Sequence, residues 1–198
     1  MTTAYILGDS LATIALADAL TARMGWTYVA RAPQNAPPGG TIDGTGGSGY
    51  VNPSTWEPFG GATRLGYLLA AVPDAVLVIG GGNDSAYTDA QAETAATAFW
   101  TAVRAGLPNA TLYGTFLHRP PAAAKAAAIQ AGAAAARVTW IDASGWVTGT
   151  GYVGAEAGDG NADVYVSADG VHPSAAGNAY LGVRLAHAIR PPATGLDF

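Results

Sequence analysis

The sequence predicts an α/β fold built on a parallel sheet of five strands, with helices covering both faces of the sheet. Two observations lead to this class. Apolar runs with strand character alternate along the chain with helix-like segments, which is the order of parallel strands joined by crossover helices. One of the runs, Ala75–Ile79, is apolar without alternation, as expected for a strand that is buried on both faces.

The remaining elements follow in order between turn signals. Strands are predicted at residues 5–7, 26–30, 75–79, 110–116 and 137–142, and helices at residues 11–24, 62–71, 89–105, 122–136 and 174–189. Gly25 and the pair Gly106 and Pro108 are typical signals for the end of a helix. Two Gly-rich connections, at residues 33–61 and 143–168, are longer than packed elements require, and loops of that length usually serve function. At 198 residues the chain is expected to form one domain over residues 1–198.

Composition argues against several classes of function. The nine lysines and arginines are scattered and the formal net charge is −5, so no phosphate-binding surface is expected and nucleic acid is a poor partner. The chain has no cysteine, which excludes disulfides and thiolate metal ligands. The first residues show no export signal, and the Ala-rich segment 122–136 is too short to span a bilayer. Localisation and oligomeric state stay open.

Ser10 is the first candidate for chemistry, because it ends a tight Gly-Asp-Ser turn between the first strand and the first helix. A serine there projects its hydroxyl from the carboxyl edge of the sheet, beside free backbone N–H groups. Serine needs a base, and one of the three histidines, His187, lies inside the last helix. His172 is the preferred base, since Asp169, three residues earlier, can reach its Nδ1 and hold the tautomer that faces the serine.

An acyl-transfer site also needs donors aimed at the oxygen that becomes negative. Asn83 follows a buried strand and three glycines and can offer its side-chain amide, and the Ser10 backbone N–H is a second donor. A third is expected from a glycine N–H in the segment 44–49, where no Cβ obstructs the approach. Because ligands of such folds bind beyond the carboxyl ends of the strands, these donors should share one crevice with the serine.

Together these motifs resemble the SGNH hydrolases, also called the GDSL esterase and lipase family. Three ordered motifs carry the resemblance: Gly8-Asp9-Ser10-Leu11, Gly81-Gly82-Asn83-Asp84 and Asp169-Gly170-Val171-His172. The resemblance implies that Ser10 is the nucleophile, with His172 and Asp169 as its partners. It also implies an oxyanion hole made by Ser10, Asn83 and a further glycine. That glycine is one of Gly46, Gly47 and Gly49, with Gly47 preferred.

The resemblance further implies a flavodoxin-like, three-layer α/β/α sandwich and a hydrolase that works without a metal or another cofactor. Members of the family act on acylated sugars, lipids or small esters, so small-molecule or glycan esters are the expected substrates. Short acyl chains, including O-acetyl groups on glycans, are favoured because the sequence shows no long exposed apolar stretch or lid helix. A rival hypothesis keeps the same scaffold as a non-catalytic glycan-binding or structural module within a larger cell-wall or virion assembly. The joint presence of Ser10, Asn83, Asp169 and His172 favours the enzyme, since a binder has no need of all four.

Each motif also has a simpler interpretation. Ser10 alone would suit a helix N-cap, and Asn83 alone would suit a Gly-rich turn. The segment 44–49 fits the dinucleotide pattern G-x-G-x-x-G, but it lacks the strand before it and the helix after it that this pattern needs. Paired ligand spacings such as H-x-x-x-H are absent from the sequence, which argues against a metal-dependent phosphoesterase.

Aromatic and basic residues in the loops are candidates for substrate binding. Tyr50, His118 and Trp146 are predicted to border the crevice, where a ring could stack on a sugar or line an acyl pocket. Trp56 and Arg119 also lie in loops that are expected to border the crevice, and they are candidates on the same ground. Each could equally pack its loop against the fold, and that alternative stays open.

Overall fold

A computed structural model of the chain describes residues 1–28, 43–155 and 159–190. Strands β1 to β6 span Thr3–Gly8, Thr27–Tyr28, Asp43–Gly44, Ala75–Ile79, Thr111–Thr115 and Thr139–Trp140. Helices α1 to α6 span Ile14–Met24, Ala62–Ala71, Asp89–Gly106, Ala123–Ala134, Ala162–Tyr165 and Ala175–Ile189. The longer strands and helices therefore alternate along the chain as the sequence predicts.

The strands form one parallel sheet in the order β2-β1-β4-β5-β6, and β3 pairs with the carboxyl end of β1, beyond β2. Strands β1 and β4 are paired from Ala4 and Ala75 to Gly8 and Ile79, so their carboxyl ends lie side by side. The sequence does not predict β3, because two residues are too few to show a periodicity. The last part of the second predicted strand, at 29–30, lies outside the described residues.

Helices cover both faces of the sheet, which confirms the three-layer α/β/α sandwich. On one face, side chains such as Leu7 and Val78 pack with α2, α3 and α4 around the fully buried Trp100. On the other face, Ile6 and Leu77 pack with α1 and α6. All five residues of β4 are buried, in agreement with their unbroken apolar pattern.

Helices α1 and α6 lie in close contact on the second face. A Cβ at position 182 would stand 2.7 Å from the carbonyl oxygen of Leu16, so α6 approaches the backbone of α1 only because residue 182 is glycine. Thr13, the N-cap of α1, also donates its hydroxyl to Oδ1 of Asn178 on α6 at 2.5 Å. These contacts join the start of α1 to α6 between residues 178 and 182.

The start of α1 and the second long loop differ from the sequence prediction, and the fifth predicted strand, at 137–142, is reduced to Thr139–Trp140. Helix α1 begins at Ile14 rather than at residue 11, because the carboxylate of Asp9 accepts the Leu11 N–H at 2.9 Å and the hydroxyl of Thr13 caps the helix. In the second long loop, the short helix α5 forms where no helix is predicted. None of the helices in the described part of the chain is long and apolar enough to cross a membrane.

Candidate active site

Ser10 stands in the turn that follows β1, at the carboxyl edge of the sheet. A Cβ on Gly8, the last residue of β1, would lie 2.2 Å from the carbonyl oxygen of Ile79 in β4, so this position requires a residue without a side chain. Asp9 donates its N–H to the same carbonyl at 3.1 Å, and its carboxylate accepts the Leu11 N–H at 2.9 Å. These bonds hold the turn, and Ser10 lines a cleft at this edge of the sheet.

His172 is presented by a tight turn before α6. Oδ1 of Asp169 accepts the backbone N–H groups of Val171 at 2.8 Å and of His172 at 2.9 Å, and it also accepts the hydroxyl of Ser167 at 2.8 Å. Gly170 has a φ of +70°, a left-handed conformation that lets the chain fold back on the carboxylate. The turn thereby leaves Oδ2 of Asp169 for the imidazole.

The imidazole of His172 bridges Ser10 and Asp169. Its Nε2 lies 2.8 Å from Oγ of Ser10, and its Nδ1 lies 2.6 Å from Oδ2 of Asp169. An ionised carboxylate can only accept, so Nδ1 carries the proton and Nε2 is left as the acceptor for the serine hydroxyl. A serine and a histidine that are 162 positions apart in the sequence thus lie within hydrogen-bond distance.

The two carboxylates of the site lie in different environments. The imidazole of His172 holds the pKa of Asp169 well below its usual range, and backbone N–H groups act in the same direction. Burial instead raises the pKa of Asp9 to about 6, against the lowering effect of the backbone N–H groups that it accepts. Asp169 is therefore ionised at neutral pH, whereas Asp9 binds a proton under mildly acidic conditions.

Three backbone N–H groups, in the Ser10 turn and in the loop after β3, are candidate donors to an oxyanion. The N–H groups of Ser10, Gly46 and Gly47 have no acceptor among the residues that the structure describes. Gly46 is a direct neighbour of the serine, since a Cβ on Gly46 would stand 3.7 Å from the Cβ of Ser10. The N–H of Gly49 donates to the Asn52 carbonyl at 2.9 Å. This bond excludes Gly49 and leaves Gly46 and Gly47 as the candidates.

Asn83 lies in the 3₁₀ turn Gly82–Asp84 after β4 and lines the same cleft as Ser10. Its amide nitrogen donates to Oδ2 of Asp9 at 3.1 Å and to the Ser48 carbonyl at 3.0 Å. A primary amide has two N–H groups, so both are occupied. Donation to an oxyanion therefore requires Asn83 to share or release one of these bonds, which the sequence does not predict.

A buried arginine supports the loop after β3. Arg64 on α2 is fully buried and forms an ion pair with Asp43 of β3 at 3.0 Å. Its guanidinium also donates to the Gly8 carbonyl at 2.8 Å and to the Ser48 hydroxyl at 2.9 Å. Arg64 was not predicted from the sequence, although its spacing of four residues from the buried Leu68 places it on the core-facing stripe of α2.

The cleft at Ser10 is small, with a volume of about 140 Å³. Its walls come from the carboxyl ends of β1, β4 and β5 and from the turn before His172. The lining residues are Asp9, Ser10, Leu11, Gly82, Asn83, Arg119, Pro120 and Val171. Pockets for drug-sized ligands measure roughly 300–1,000 Å³, so this cleft has room for a small group only. Within residues 1–28, 43–155 and 159–190, no cluster of three or more His, Asp or Glu side chains could hold a metal ion.

Two of the three predicted substrate-binding residues are buried in the core, and for them the prediction is wrong. Tyr50 is 3% exposed, its ring packs edge-on against Phe59, and its hydroxyl accepts the Nε1–H of Trp100 at 3.2 Å. Trp146 is 7% exposed, and its ring centroid lies 5.1 Å from the guanidinium carbon of Arg184 on α6. Removing these large apolar surfaces from water stabilises the fold, which is the alternative that the sequence left open.

His118 contacts the turn before His172 but is not among the residues that line the cleft at Ser10, and its role in substrate binding stays a prediction. Its Nε2 donates to the Val171 carbonyl at 3.0 Å, and its Nδ1 is buried without a partner among the described residues. Burial lowers the pKa of His118. The next residue, Arg119, does line the cleft, and its guanidinium donates to the Gly170 carbonyl at 3.2 Å.

A serine hydroxyl, an imidazole and a carboxylate in hydrogen-bond contact at the carboxyl edge of an α/β sandwich form the arrangement of a serine hydrolase. Comparison with known proteins makes this class more specific. The sequence profile of the GDSL-like lipase/acylhydrolase family matches residues 6–180, and the chain belongs to this family. It is an SGNH-type carboxylic ester hydrolase.

Solved structures share the fold along nearly the whole chain at low sequence identity. The lipase/acylhydrolase from Enterococcus faecalis has a TM-score of 0.63 at 20% identity, over 96% of this chain and 95% of that one. A family 3 carbohydrate esterase from Talaromyces cellulolyticus has a TM-score of 0.60 at 19% identity, over 96% of each chain. The aryl esterase from M. smegmatis has a TM-score of 0.59 at 17% identity, over 96% of this chain and 99% of that one. A search of curated protein sequences finds no match.

Proposed function

We propose that the chain hydrolyses carboxylic esters with short acyl groups, using Ser10, His172 and Asp169. The observation that carries this proposal is the pair of contacts made by one imidazole, 2.8 Å to the Ser10 hydroxyl and 2.6 Å to the Asp169 carboxylate. Both distances are within the reach that proton transfer requires. The imidazole is therefore placed to move a proton from the serine while the carboxylate holds it in position.

The first half of the reaction transfers the acyl group to the enzyme. Oγ of Ser10 attacks the ester carbonyl carbon and passes its proton to Nε2 of His172. The imidazolium is stabilised by Asp169, whose lowered pKa keeps it ionised while the proton stays on the ring. The tetrahedral intermediate collapses when the imidazolium gives its proton to the departing alcohol oxygen, which leaves the acyl group on Ser10.

The second half releases the acid by the same route. Nε2 of His172 takes a proton from water, and the resulting hydroxide attacks the acyl carbon. The bond to Oγ of Ser10 then breaks, and the imidazolium returns the proton to that oxygen. The products are a carboxylic acid and the enzyme in its starting state.

The oxygen that becomes negative needs donors that are already in place. We assign this role to the N–H groups of Ser10 and Gly47, with the N–H of Gly46 as the neighbouring alternative, and to the amide of Asn83. For the amide of Asn83 to donate to this oxygen, one of its two hydrogen bonds, to Asp9 or to the Ser48 carbonyl, must lengthen or break. In other hydrolases, removing one such donor raises the barrier by roughly 3–4 kcal/mol.

The size of the cleft supports a short acyl group, since about 140 Å³ holds an acetyl group but not a long alkyl chain. O-acetyl groups on glycans are the proposed natural class. The similarity in fold to a family 3 carbohydrate esterase supports this choice. Comparing p-nitrophenyl acetate, butyrate and octanoate tests the acyl limit: kcat/KM should fall steeply from acetate to octanoate, and a flat or rising series would contradict it.

The proposed nucleophile is tested by Ser10→Ala. This variant should fold, should lose turnover of p-nitrophenyl acetate and should no longer be labelled by a fluorophosphonate probe. Ser85→Ala is the matched control, because it removes an exposed hydroxyl at the same edge of the sheet and should keep both properties. Full turnover by Ser10→Ala would overturn the proposal.

A further inference from the structure

An exposed guanidinium lies in the cleft without a counter-charge. Arg119 lines the cleft together with Ser10. Its Nη1 donates to the Gly170 carbonyl at 3.2 Å, and the other N–H groups of the guanidinium have no acceptor in the described ranges. No carboxylate in those ranges forms an ion pair with it either. The guanidinium therefore keeps most of its donors and its full charge for a bound molecule.

The two carboxylates of the site are engaged elsewhere. Asp169 holds Nδ1 of His172 at 2.6 Å and accepts two backbone N–H groups from its own turn. Asp9 is 2% exposed and accepts the Leu11 N–H and the amide of Asn83. Neither carboxylate forms an ion pair with Arg119.

The contact with Gly170 places Arg119 on the side of the cleft from which the alcohol departs. In the proposed reaction His172 gives its proton to the alcohol oxygen, so the alcohol lies beside the turn formed by residues 169–172. The guanidinium of Arg119 is bonded to that turn. A charged group on the alcohol portion of the ester would therefore come close to the guanidinium.

We propose that Arg119 selects esters whose alcohol portion carries a carboxylate, such as acylated hydroxy acids and acidic sugars. This inference rests on the proposed esterase function and adds the charge of the substrate to it. The planar guanidinium offers paired N–H groups that match the two oxygens of a carboxylate. Because Arg119 is exposed, the preference is modest and weakens as salt rises.

Two acetate esters isolate the effect of charge. The substrates 4-acetoxybenzoate and 4-acetoxybenzamide carry the same acetyl group on nearly the same ring, and they differ in charge only on the alcohol side. The measured quantity is kcat/KM for the anionic ester divided by kcat/KM for the neutral one. Using this ratio cancels any general loss of activity in a variant.

Three variants are compared with the wild-type enzyme. Arg119→Gln removes the charge but keeps a polar side chain with N–H donors, and Arg119→Lys keeps the charge. Arg190→Gln is the matched control, since it removes one exposed positive charge at the other end of α6, about 20 Å from the turn that carries His172.

The ratio should fall about threefold to fivefold in Arg119→Gln and stay within about twofold of wild type in Arg119→Lys and Arg190→Gln. Raising the ionic strength to about 0.5 M should lower the ratio in the wild-type enzyme but not in Arg119→Gln. An unchanged ratio in Arg119→Gln, or an equal loss on both substrates, would overturn the proposal. Failure of the proposed esterase function is a separate result, because the wild-type enzyme would then hydrolyse neither substrate, or Ser10→Ala would hydrolyse both.

Discussion

The guanidinium of Arg64 lies 3.0 Å from the carboxylate of Asp43, and neither side chain is exposed to solvent. This pair ties α2 to β3. A further N–H of the same guanidinium holds the Gly8 carbonyl at the end of β1 at 2.8 Å. The turn that carries Ser10 and the loop that follows β3 therefore depend on one cation that lies outside the cleft.

Replacing Arg64 with Met should lower the free energy of unfolding by about 3–5 kcal/mol, because the carboxylate of Asp43 would stay buried without its counter-charge. Urea unfolding measures this loss. Arg23→Met is the control, since Arg23 is an exposed helical arginine that contacts His187, and its replacement should cost less than about 1 kcal/mol. Equal losses in the two variants would contradict the role assigned to Arg64.

Asp169→Asn should lower kcat by roughly 10²–10⁴ with little change in KM, because an amide does not stabilise the imidazolium or hold Nδ1 of His172 as a donor. Steady-state kinetics on p-nitrophenyl acetate checks this. Ser167→Ala removes only one of the bonds to the Asp169 carboxylate, so its loss should stay below about tenfold. A kcat near the wild-type value in Asp169→Asn would remove Asp169 from the mechanism.

Asp9→Asn should change how stability depends on pH. Burial raises the pKa of Asp9 from 3.8 to about 6, so across this interval the folded state keeps a proton that the unfolded state has released. Asp9 therefore makes the wild-type protein lose stability as pH rises through this interval, by roughly 1–2 kcal/mol between pH 5 and pH 8.

The Asp9→Asn variant lacks this titrating carboxyl. The pH dependence of stability that comes from all other titratable groups is common to both proteins and cancels in the comparison. Urea unfolding of both at pH 5 and pH 8 should show the wild type declining relative to Asp9→Asn. A difference that stays constant with pH would show that the carboxyl of Asp9 titrates alike in the folded and unfolded states.

Asn83→Ala should lower kcat by roughly 10²–10³ and leave KM nearly unchanged, since its amide is assigned to the transition state rather than to the bound ester. The matched control is Asn52→Ala. Asn52 donates to the backbone carbonyl of Asn83 at 3.0 Å, so its loss leaves the Asn83 amide in place and should cost less than tenfold. If Asn83→Ala kept wild-type kcat, the amide would serve only to hold Asp9 and Ser48.

Much of the fold could be predicted because its signals are local. The unbroken apolar run Ala75–Ile79 marks a strand buried on both faces, and the structure buries all five residues. The spacing of Asp169 and His172 is equally local, since one turn of the chain brings the carboxylate to the imidazole. Ser10 and Asn83 could be placed together because the ends of neighbouring parallel strands share one edge.

The rest depends on contacts that a linear pattern does not record. Tyr50 lies in a Gly-rich loop, and only the fold shows that the loop turns its ring into the core beside Trp100. In the sequence, Arg64 is indistinguishable from any helical arginine, because its partner Asp43 comes next to it only in the folded protein, through β3. The occupied amide of Asn83 likewise results from Asp9 and Ser48, which approach it from two separate segments.

The close contact of α1 with α6, at Gly182 and between Thr13 and Asn178, has a consequence for heat inactivation. Ser10 precedes one of these helices and His172 precedes the other. If heating separates α1 from α6 first, the hydroxyl of Ser10 moves away from the imidazole of His172 while the central strands remain paired. Esterase turnover should therefore disappear at a lower temperature than the circular dichroism signal of the sheet.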